Sequence, residues 1–264
     1  MIINEMPFEE YLDLNRLNCS GVKQLEKSGA HYLAYKLNPV KQTAAIFMGS
    51  TVHCAVLEPD CFSARYAVMP EGIDKRTKAG KETYQELLDS GKEIIGEIDN
   101  KLCWKIADSV KQHPSASFLL KKGNAEVTVL SVIDGVETKV RIDWLRPEGI
   151  LVDLKTCEDA SPSAFSKQIA NYGYDVQTAF YLDSCRNADV KAHTFIFIAV
   201  EKSPPYAVAI YELDNQSIDI GRAKYQRALA LYQECIENNT WPAYDQNIQT
   251  ISLPSWAIYQ ELQQ

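Results

Sequence analysis

The sequence predicts an α/β fold in which helices flank a mixed central β-sheet, with a mainly helical N-terminal part. Three strand-like stretches, 125–133, 136–146 and 150–156, follow one another with only short turn signals between them, which indicates antiparallel pairing. A nearly all-apolar stretch at 192–200 is typical of a strand buried on both faces. Stretches with helical spacing of apolar residues stand on both sides of this region.

The elements before the three strands are predicted to be mainly helical. Helices are expected at residues 7–37, 44–58 and 81–120, and irregular structure at 60–80. Ser20 is a suitable N-cap within the first stretch, because a serine side chain can accept a hydrogen bond from the first turn of a helix. Pro59 ends the second helix, and a break is expected near Gly91.

Helices and strands alternate after the third strand. Ser161-Pro162 has the pattern of a helix start, and we expect an interruption near Gly173. The elements predicted here are a helix at 163–186, a strand at 206–213 and an amphipathic helix at 215–238. Trp241 and Trp256 are expected to pack on the core. We expect a single domain, residues 1–264, with a helical part at 1–120, a core at 121–245 and a tail at 246–264.

Two acids and a lysine are predicted to converge where the second and third strands lie side by side. The period of two in a strand places Asp153 and Lys155 on one face. The turn at 146–149 makes this strand an antiparallel neighbour of the strand that carries Asp143. In that strand the same period places Ile142 and Trp144 on one face and Asp143 on the opposite face.

This arrangement indicates a metal-dependent phosphodiesterase site. Carboxylate oxygens of Asp143 and Asp153 suit Mg²⁺ or Mn²⁺. The ammonium of Lys155 can hold the attacking water or stabilise charge on the phosphorus centre. An Asp-x-Lys pattern alone more often marks a solvated strand face, so the interpretation depends on further residues.

Other residues in the chain could belong to the same site. Gly49 and His53 lie four apart on one helix face, where the small residue would let another element approach and the histidine could bind a metal. Glu126 lies on the first of the three strands, and Gln177 and Tyr181 lie four apart on the helix that follows the third. Each has a simpler alternative: a core histidine, an exposed glutamate, and a packing and surface pair.

The order of these residues along the chain resembles the PD-(D/E)xK nuclease superfamily in its RecB-like branch, whose pattern is G-x-x-x-H, E, D, D/E-x-K and Q-x-x-x-Y. Four further segments are similar to RecE-type exonucleases (the exodeoxyribonuclease VIII nuclease domain): 17–32, 75–81, 174–177 and 241–244. The resemblance covers roughly residues 1–244. It implies a restriction-endonuclease-like core within the predicted α/β fold.

The resemblance also implies a set of metal ligands. Asp143 and Asp153 would bind an ion, and the backbone carbonyl of Leu154 would complete its shell. His53 would bind a second ion or orient a ligand. Glu126 would take a position in the metal site or behind the ligands.

The remaining roles follow from the same resemblance. Lys155 would position the nucleophilic water, and Gln177 and Tyr181 would support the site and the scissile phosphate. The implied activity is Mg²⁺-dependent, ATP-independent 5′→3′ exonuclease action on the ends of linear double-stranded DNA, releasing mononucleotides. A RecT-like annealing protein would use the 3′ single strand, and the enzyme would be a ring-shaped homotetramer from a phage or prophage recombination system.

Two alternatives stay open. One is another nuclease of the same fold, with different polarity or endonuclease action. The other is a noncatalytic nucleic-acid-binding module, against which the intact set of Asp143, Asp153 and Lys155 counts, since binding alone does not need it.

The net charge of −8 does not favour DNA binding by the surface as a whole. Either basic residues are gathered locally, with the best candidates at Lys75, Arg76, Lys78 and Lys81, or a ring of subunits encloses the DNA. Seven scattered cysteines without a C-x-x-C pair indicate reduced thiols and argue against an iron–sulfur cluster. With no apolar run of membrane-spanning length and no signal-peptide pattern, we expect a cytoplasmic protein that is not bound to a membrane.

Overall fold

A computed structural model describes residues 1–38, 41–74, 76–255 and 258–259 of the chain, so Lys75 and Trp256 lie outside the described residues. The described helices are α1 (Phe8–Asp13), α2 (Cys19–Leu25), α3 (Gly29–Leu37), α4 (Ala44–Leu57), α5 (Phe62–Arg65), α6 (Lys78–Asp89), α7 (Glu97–Gln112), α8 (Pro114–Leu119), α9 (Pro162–Tyr172), α10 (Tyr174–Asn187) and α11 (Asn215–Asn238). The strands are β1 (Ile2–Ile3), β2 (Tyr66–Met69), β3 (Glu93–Gly96), β4 (Asn124–Ile133), β5 (Val136–Leu145), β6 (Ile150–Cys157), β7 (Thr194–Glu201) and β8 (Val208–Glu212).

The central sheet is mixed, as the sequence predicts. Its six strands run in the order β1-β4-β5-β6-β7-β8. Every neighbouring pair is antiparallel except β6 and β7, which are parallel. The apolar strand β7 lies inside the sheet with β8 at the edge beside it, which confirms the prediction of a strand buried on both faces.

Two hydrophobic cores lie against the sheet. Side chains of α2, α10 and α11 pack with one set of strand residues, which include Leu151 and Phe197. Side chains of α4, α7 and α8 pack with the alternating set, which includes Val152 and Ile198. The fold is therefore three layers, helices–sheet–helices, and residues of β6 can reach the helices of either layer.

The N-terminal part differs from the sequence expectation in its details. Helix α2 begins after Asn18, whose side chain accepts a hydrogen bond from Gly21 N at 2.8 Å, so Asn18 and not Ser20 is the N-cap. Strands β2 and β3 form a separate two-stranded parallel sheet in stretches predicted to be irregular or helical. Each has only four residues, too few for a period to stand out in the sequence.

Several predictions for the second half are confirmed. Gly173, with a φ of 62°, ends α9 and begins α10, a left-handed conformation that suits glycine. Trp241 stacks on Tyr32 with ring centroids 5.4 Å apart and packs on the core.

All seven cysteines are free, and all but Cys61 are buried. In the part of the chain that the structure describes, no helix has the length and apolarity to cross a membrane.

Candidate active site

The site lies where β5 and β6 separate. The two strands pair only through Trp144 with Val152 and Leu145 with Leu151. At the next position the backbone N–H of Leu154 donates to Asp143 Oδ2 at 2.9 Å instead of to a strand carbonyl. A carboxylate thus takes the place of a sheet acceptor, and the gap between the strands becomes a polar cleft in the middle of the sheet.

Along β5, the regular alternation of side chains between the two faces of the sheet is interrupted at Asp143. Ile142 packs with the core on the α10 side of the sheet, but Trp144 packs with the core on the α4 side. The prediction that these two residues share a face is therefore wrong. On the neighbouring strand β4, Glu126 lies opposite Asp143, between the pairs Ala125–Trp144 and Val127–Ile142. Its φ of 55° is left-handed, so the regular strand conformation is interrupted at this position.

Asp153 and Lys155 lie on the α10 side of β6, as the strand period predicts. The Lys155 ammonium lies 2.7 Å from Asp153 Oδ2. Gln177 on α10 donates from Nε2 to Asp153 Oδ1 at 2.6 Å. Both oxygens of this almost fully buried carboxylate are therefore held, one by a cation and the other by an amide.

His53, Glu126 and Asp143 form a second group around the same gap. One ligand atom from each residue lies within 4.8 Å of those of the other two. His53 Nδ1 is 3.5 Å from Asp143 Oδ2, and the His53 ring also interacts with the backbone of Leu154. The structure thus brings side chains of helix α4 and strands β4 and β5 together next to β6.

The electrostatics of the cleft reflect crowded acids with little water around them. Burial, followed by the nearby charge of Asp153, raises the pKa of Asp143 from 3.8 to about 7. Burial, followed by Asp143, also raises the pKa of Glu126. Burial alone would lower the pKa of Lys155, but the charges of Asp153 and Asp143 outweigh it and raise that pKa. The crowding therefore leaves Asp143 partly protonated near pH 7, beside the charged ammonium of Lys155.

These residues fit a divalent cation. Burial, followed by the charge of Lys155, lowers the pKa of His53, so its imidazole stays neutral as metal ligation requires. Among the described residues, the buried Asp153 Oδ2 has its ion pair with Lys155 and no further hydrogen-bond partner. Carboxylate oxygens with this unused capacity, next to a neutral imidazole, form a donor set for Mg²⁺ or Mn²⁺.

Two residues at the site were missed in the sequence. Arg141 donates from Nε to Glu126 Oε2 at 2.5 Å and from Nη1 to the carbonyl of Met6 at 2.9 Å. Tyr174 places its ring 4.9 Å from the Lys155 ammonium. Arg141 could have been predicted to lie near the site, because it precedes Asp143 by two residues in the same strand. For Tyr174 the available signal was its place in the segment 174–177 of the family resemblance, since no local pattern predicts its contact with Lys155.

Tyr181 lies near the acidic cluster without bonding to it: burial, and then Tyr11, Cys19, Asp143 and Asp153, raise the pKa of Tyr181 well above its usual value. Its ring packs edge-on against Phe195 at 5.9 Å. No hydrogen bond joins its hydroxyl to Asp143, Asp153 or Lys155 among the described residues. Only Gln177 of the i, i+4 pair on α10 therefore contacts the acidic cluster directly.

The predicted basic patch is spread over a loop and a helix. Arg76 is tied to Asp74 by a bidentate ion pair, with nitrogen–oxygen distances between 2.9 and 3.2 Å. Lys78 and Lys81 lie in the first turn of α6, not in a loop, and Lys78 lies 3.9 Å from Glu82. Neighbouring acids therefore offset part of this positive charge.

The fold and this site together define a nuclease of the PD-(D/E)xK class, in which two strands carry the acids and the lysine. Residues 18–254 match the family model described as a PDDEXK-like domain of unknown function (DUF3799). Because the match spans most of the chain, the protein belongs to that family. A search of curated proteins finds no match.

One solved structure shares the fold. A crystal structure from Eubacterium rectale, of a protein to which exonuclease activity is attributed, has a TM-score of 0.65 at 14% identity, covering 96% of this chain and 98% of that one. A phage-related exonuclease from Haemophilus somnus 129PT has a TM-score of 0.37 at 16% identity, covering 87% and 99%. An alkaline exonuclease from Laribacter hongkongensis has a TM-score of 0.30 at 14% identity, covering 69% and 96%. The last two likenesses, both under 0.5, support no conclusion about this chain.

Proposed function

We propose that the protein is a Mg²⁺-dependent, ATP-independent exonuclease that degrades linear double-stranded DNA in the 5′→3′ direction and releases mononucleotides. The observation that carries the proposal is the cleft between β5 and β6, where Asp143, Asp153 and Lys155 surround the point at which the strands separate. A DNA-binding module would not need a half-buried lysine held against one carboxylate beside a second, whereas phosphodiester hydrolysis uses all three groups.

Five groups would hold the metal. Asp143 and Asp153 supply carboxylates, Glu126 and His53 stand beside Asp143, and the Leu154 carbonyl is the backbone ligand that the resemblance suggests. A bound Mg²⁺ would polarise the phosphate and make bound water a better nucleophile. Arg141 would keep the Glu126 carboxylate turned towards the cleft by holding its other side.

Lys155 would act as a fixed hydrogen-bond donor. The raised pKa keeps its ammonium charged, and the contacts with Asp153 and the Tyr174 ring hold it in one position. From there it can donate to the attacking water or to a phosphate oxygen, where negative charge grows in the transition state. Gln177 would support this step indirectly by holding Asp153, and Tyr181 by packing α10 against Phe195 of β7.

The substrate and partner assignments rest on the resemblance to RecE-type enzymes and agree with the charge of the chain. A protein of net charge −8 binds DNA phosphates weakly over most of its surface. A ring-shaped homotetramer that encloses the duplex would retain DNA without strong contacts, and the exposed Lys78 and Lys81 would add local ones. The 3′ single strand that remains would be passed to a RecT-like annealing protein.

Digestion of end-labelled DNA tests the proposal. Linear duplex labelled at one 5′ end or one 3′ end is incubated with Mg²⁺ or EDTA, beside a closed circle of the same sequence. Early release of the 5′ label as mononucleotide, from linear DNA only and with Mg²⁺ only, is the expected result. Cleavage of the circle would establish an endonuclease instead, and DNA binding without cleavage in any divalent ion would establish a noncatalytic module.

A further inference from the structure

Gly49 is unlike the other helical glycines of the described chain. A Cβ atom placed on Gly21, Gly29, Gly80 or Gly221 would lie 2.9, 2.8, 2.0 or 2.2 Å from another atom of the chain. Close packing therefore explains each of those four. A Cβ on Gly49 would meet nothing within 4 Å.

The packing of the residues that the structure describes thus gives no reason for a glycine at this position. Gly49 lies inside the 14-residue helix α4, where alanine would be the better helix former. The sequence suggested that a glycine here lets another element of the fold approach, and for the described residues that interpretation is wrong. Among the described residues, no part of the chain occupies this space.

The open space borders the candidate active site. Gly49 precedes His53 by four residues, so the two lie on the same face of α4, about 6 Å apart along its axis. His53 in turn lies 3.5 Å from Asp143 in the cleft. A molecule bound at the acidic cluster and extending along α4 would pass in front of Gly49.

The chemistry of α4 indicates which part of a substrate would lie there. Residues 44–57 contain no lysine, arginine, aspartate or glutamate. Contact with this helix would therefore rest on close packing and not on neutralisation of phosphate charge. The deoxyribose of a nucleotide, which has an apolar face and no charge, fits such a surface.

We propose that the nucleotide on the leaving-group side of the scissile phosphate packs its sugar directly against the backbone of α4 at Gly49. This inference rests on the proposed nuclease function. It makes Gly49 a substrate-positioning residue, and the missing side chain is what lets the phosphodiester come within reach of the metal site.

Substitutions at Gly49 test it through opposite effects on stability and activity. Gly49→Ala is expected to raise the Tm by about 2 °C, because alanine is the better helix former and its Cβ meets no atom. The same change should lower kcat/KM on duplex DNA about tenfold, and Gly49→Leu about 100-fold or more, as expected when a strand is displaced by an ångström or more. The slope of DNA affinity against salt should not change.

Two controls separate exclusion of substrate from damage to the site. The p-nitrophenyl ester of thymidine 5′-monophosphate lacks a neighbouring nucleotide, so Gly49→Leu should cleave it at the wild-type rate and bind Mg²⁺ normally. Gly221→Ala should lower the Tm, because its Cβ would lie 2.2 Å from the Asp175 carbonyl. That contrast shows that the stability assay detects close approach within the chain.

The outcomes distinguish this inference from the proposed function. Wild-type cleavage of DNA by Gly49→Leu would overturn the inference and leave the nuclease assignment intact. An altered mass of Gly49→Leu in light scattering would also overturn it, by assigning the space to a second copy of the chain. If the wild-type protein cleaves no DNA, the proposed function fails, and DNA affinity measured with Ca²⁺ then decides the inference: an unchanged affinity in Gly49→Leu overturns it.

Discussion

The backbone N–H of Leu154 donates to the carboxylate of Asp143 at 2.9 Å, across the point where their two strands separate. A side chain thereby replaces a sheet hydrogen bond, so the backbone remains satisfied although pairing has stopped. Asp143 therefore both ends the pairing of β5 with β6 and supplies a carboxylate to the cleft. Substitutions of Asp143 should therefore change stability as well as catalysis.

Asp143→Asn should make the metal-free protein more stable near neutral pH. The folded-state pKa of Asp143 is about 7 against 3.8 in its ordinary state, because burial and Asp153 disfavour the charge. A pKa raised on folding stabilises the fold fully below about pH 4, and this contribution is lost as pH rises to about 7. The loss is on the order of a few kcal/mol, since one pKa unit corresponds to about 1.4 kcal/mol. Asparagine can still accept from Leu154 N–H without gaining charge.

Thermal unfolding in EDTA from pH 4 to 8 measures this effect. The wild-type Tm should fall across that range more steeply than that of Asp143→Asn. Adding Mg²⁺ should raise the wild-type Tm at pH 8 and leave the variant nearly unchanged. Parallel curves for the two proteins would show that Asp143 is not the group that titrates.

Lys155→Ala should abolish cleavage while DNA binding persists. Loss of a preorganised donor in a dry site typically costs about 10²–10³ in kcat, and Lys155 is also the cation closest to Asp153. Single-turnover cleavage in saturating Mg²⁺, together with circular dichroism, measures chemistry apart from folding. Lys202→Ala is the matched control, because Lys202 makes an ion pair with Glu158 outside the cleft. Wild-type rates in Lys155→Ala would show that the site is wrongly assigned.

Gln177→Ala should slow cleavage about 10–100-fold, less than Lys155→Ala does, as is usual for residues that hold a metal ligand in place. The cause is the loss of the 2.6 Å hydrogen bond to Asp153 Oδ1. The Mg²⁺ concentration for half-maximal rate should rise as well, which a packing defect alone would not produce. Tyr181→Phe, whose hydroxyl makes no bond to the cluster, should stay close to the wild type in both measurements.

Glu126→Gly should be more stable than Glu126→Ala by about 1 kcal/mol. Glu126 has a φ of 55°, a conformation that glycine adopts without strain and alanine does not. Both variants lose the ion pair with Arg141, so that loss cancels in the comparison. Urea unfolding of the two proteins measures the difference. Greater stability of the alanine variant, as is usual in strands, would mean that the left-handed conformation relaxes once the carboxylate is gone.

The sequence predicted the parts of the site whose positions follow from strand period and chain order. Asp153 and Lys155 share a face because alternate residues of a strand must, and Asp143 lies near them because a short turn joins the two strands. Gln177 could be placed because it follows β6 on a helix that packs back onto the sheet. The resemblance to a known family added His53, which no local pattern connects with the strands.

The sequence could not predict features that depend on interrupted regularity or on distant contacts. Trp144 was assigned to the wrong face because the alternation fails at Asp143, where Glu126 adopts a left-handed backbone on the neighbouring strand. The contact of Arg141 with the Met6 carbonyl joins residues far apart in sequence. Among the described residues, strands β2 and β3 pair only with each other, so neither is recognisable before the other is placed.

The three strands that carry the acids also bear on the order in which the molecule assembles. Strands β4, β5 and β6 form a continuous meander with short turns, and contacts of this kind form quickly because little loop entropy is lost. His53 and Gln177 arrive on helices from opposite layers. We therefore expect the negative charges to be gathered early in folding, before α4 and α10 have docked around them. Refolding should then speed up with salt or divalent cations, which reduce the repulsion within the meander.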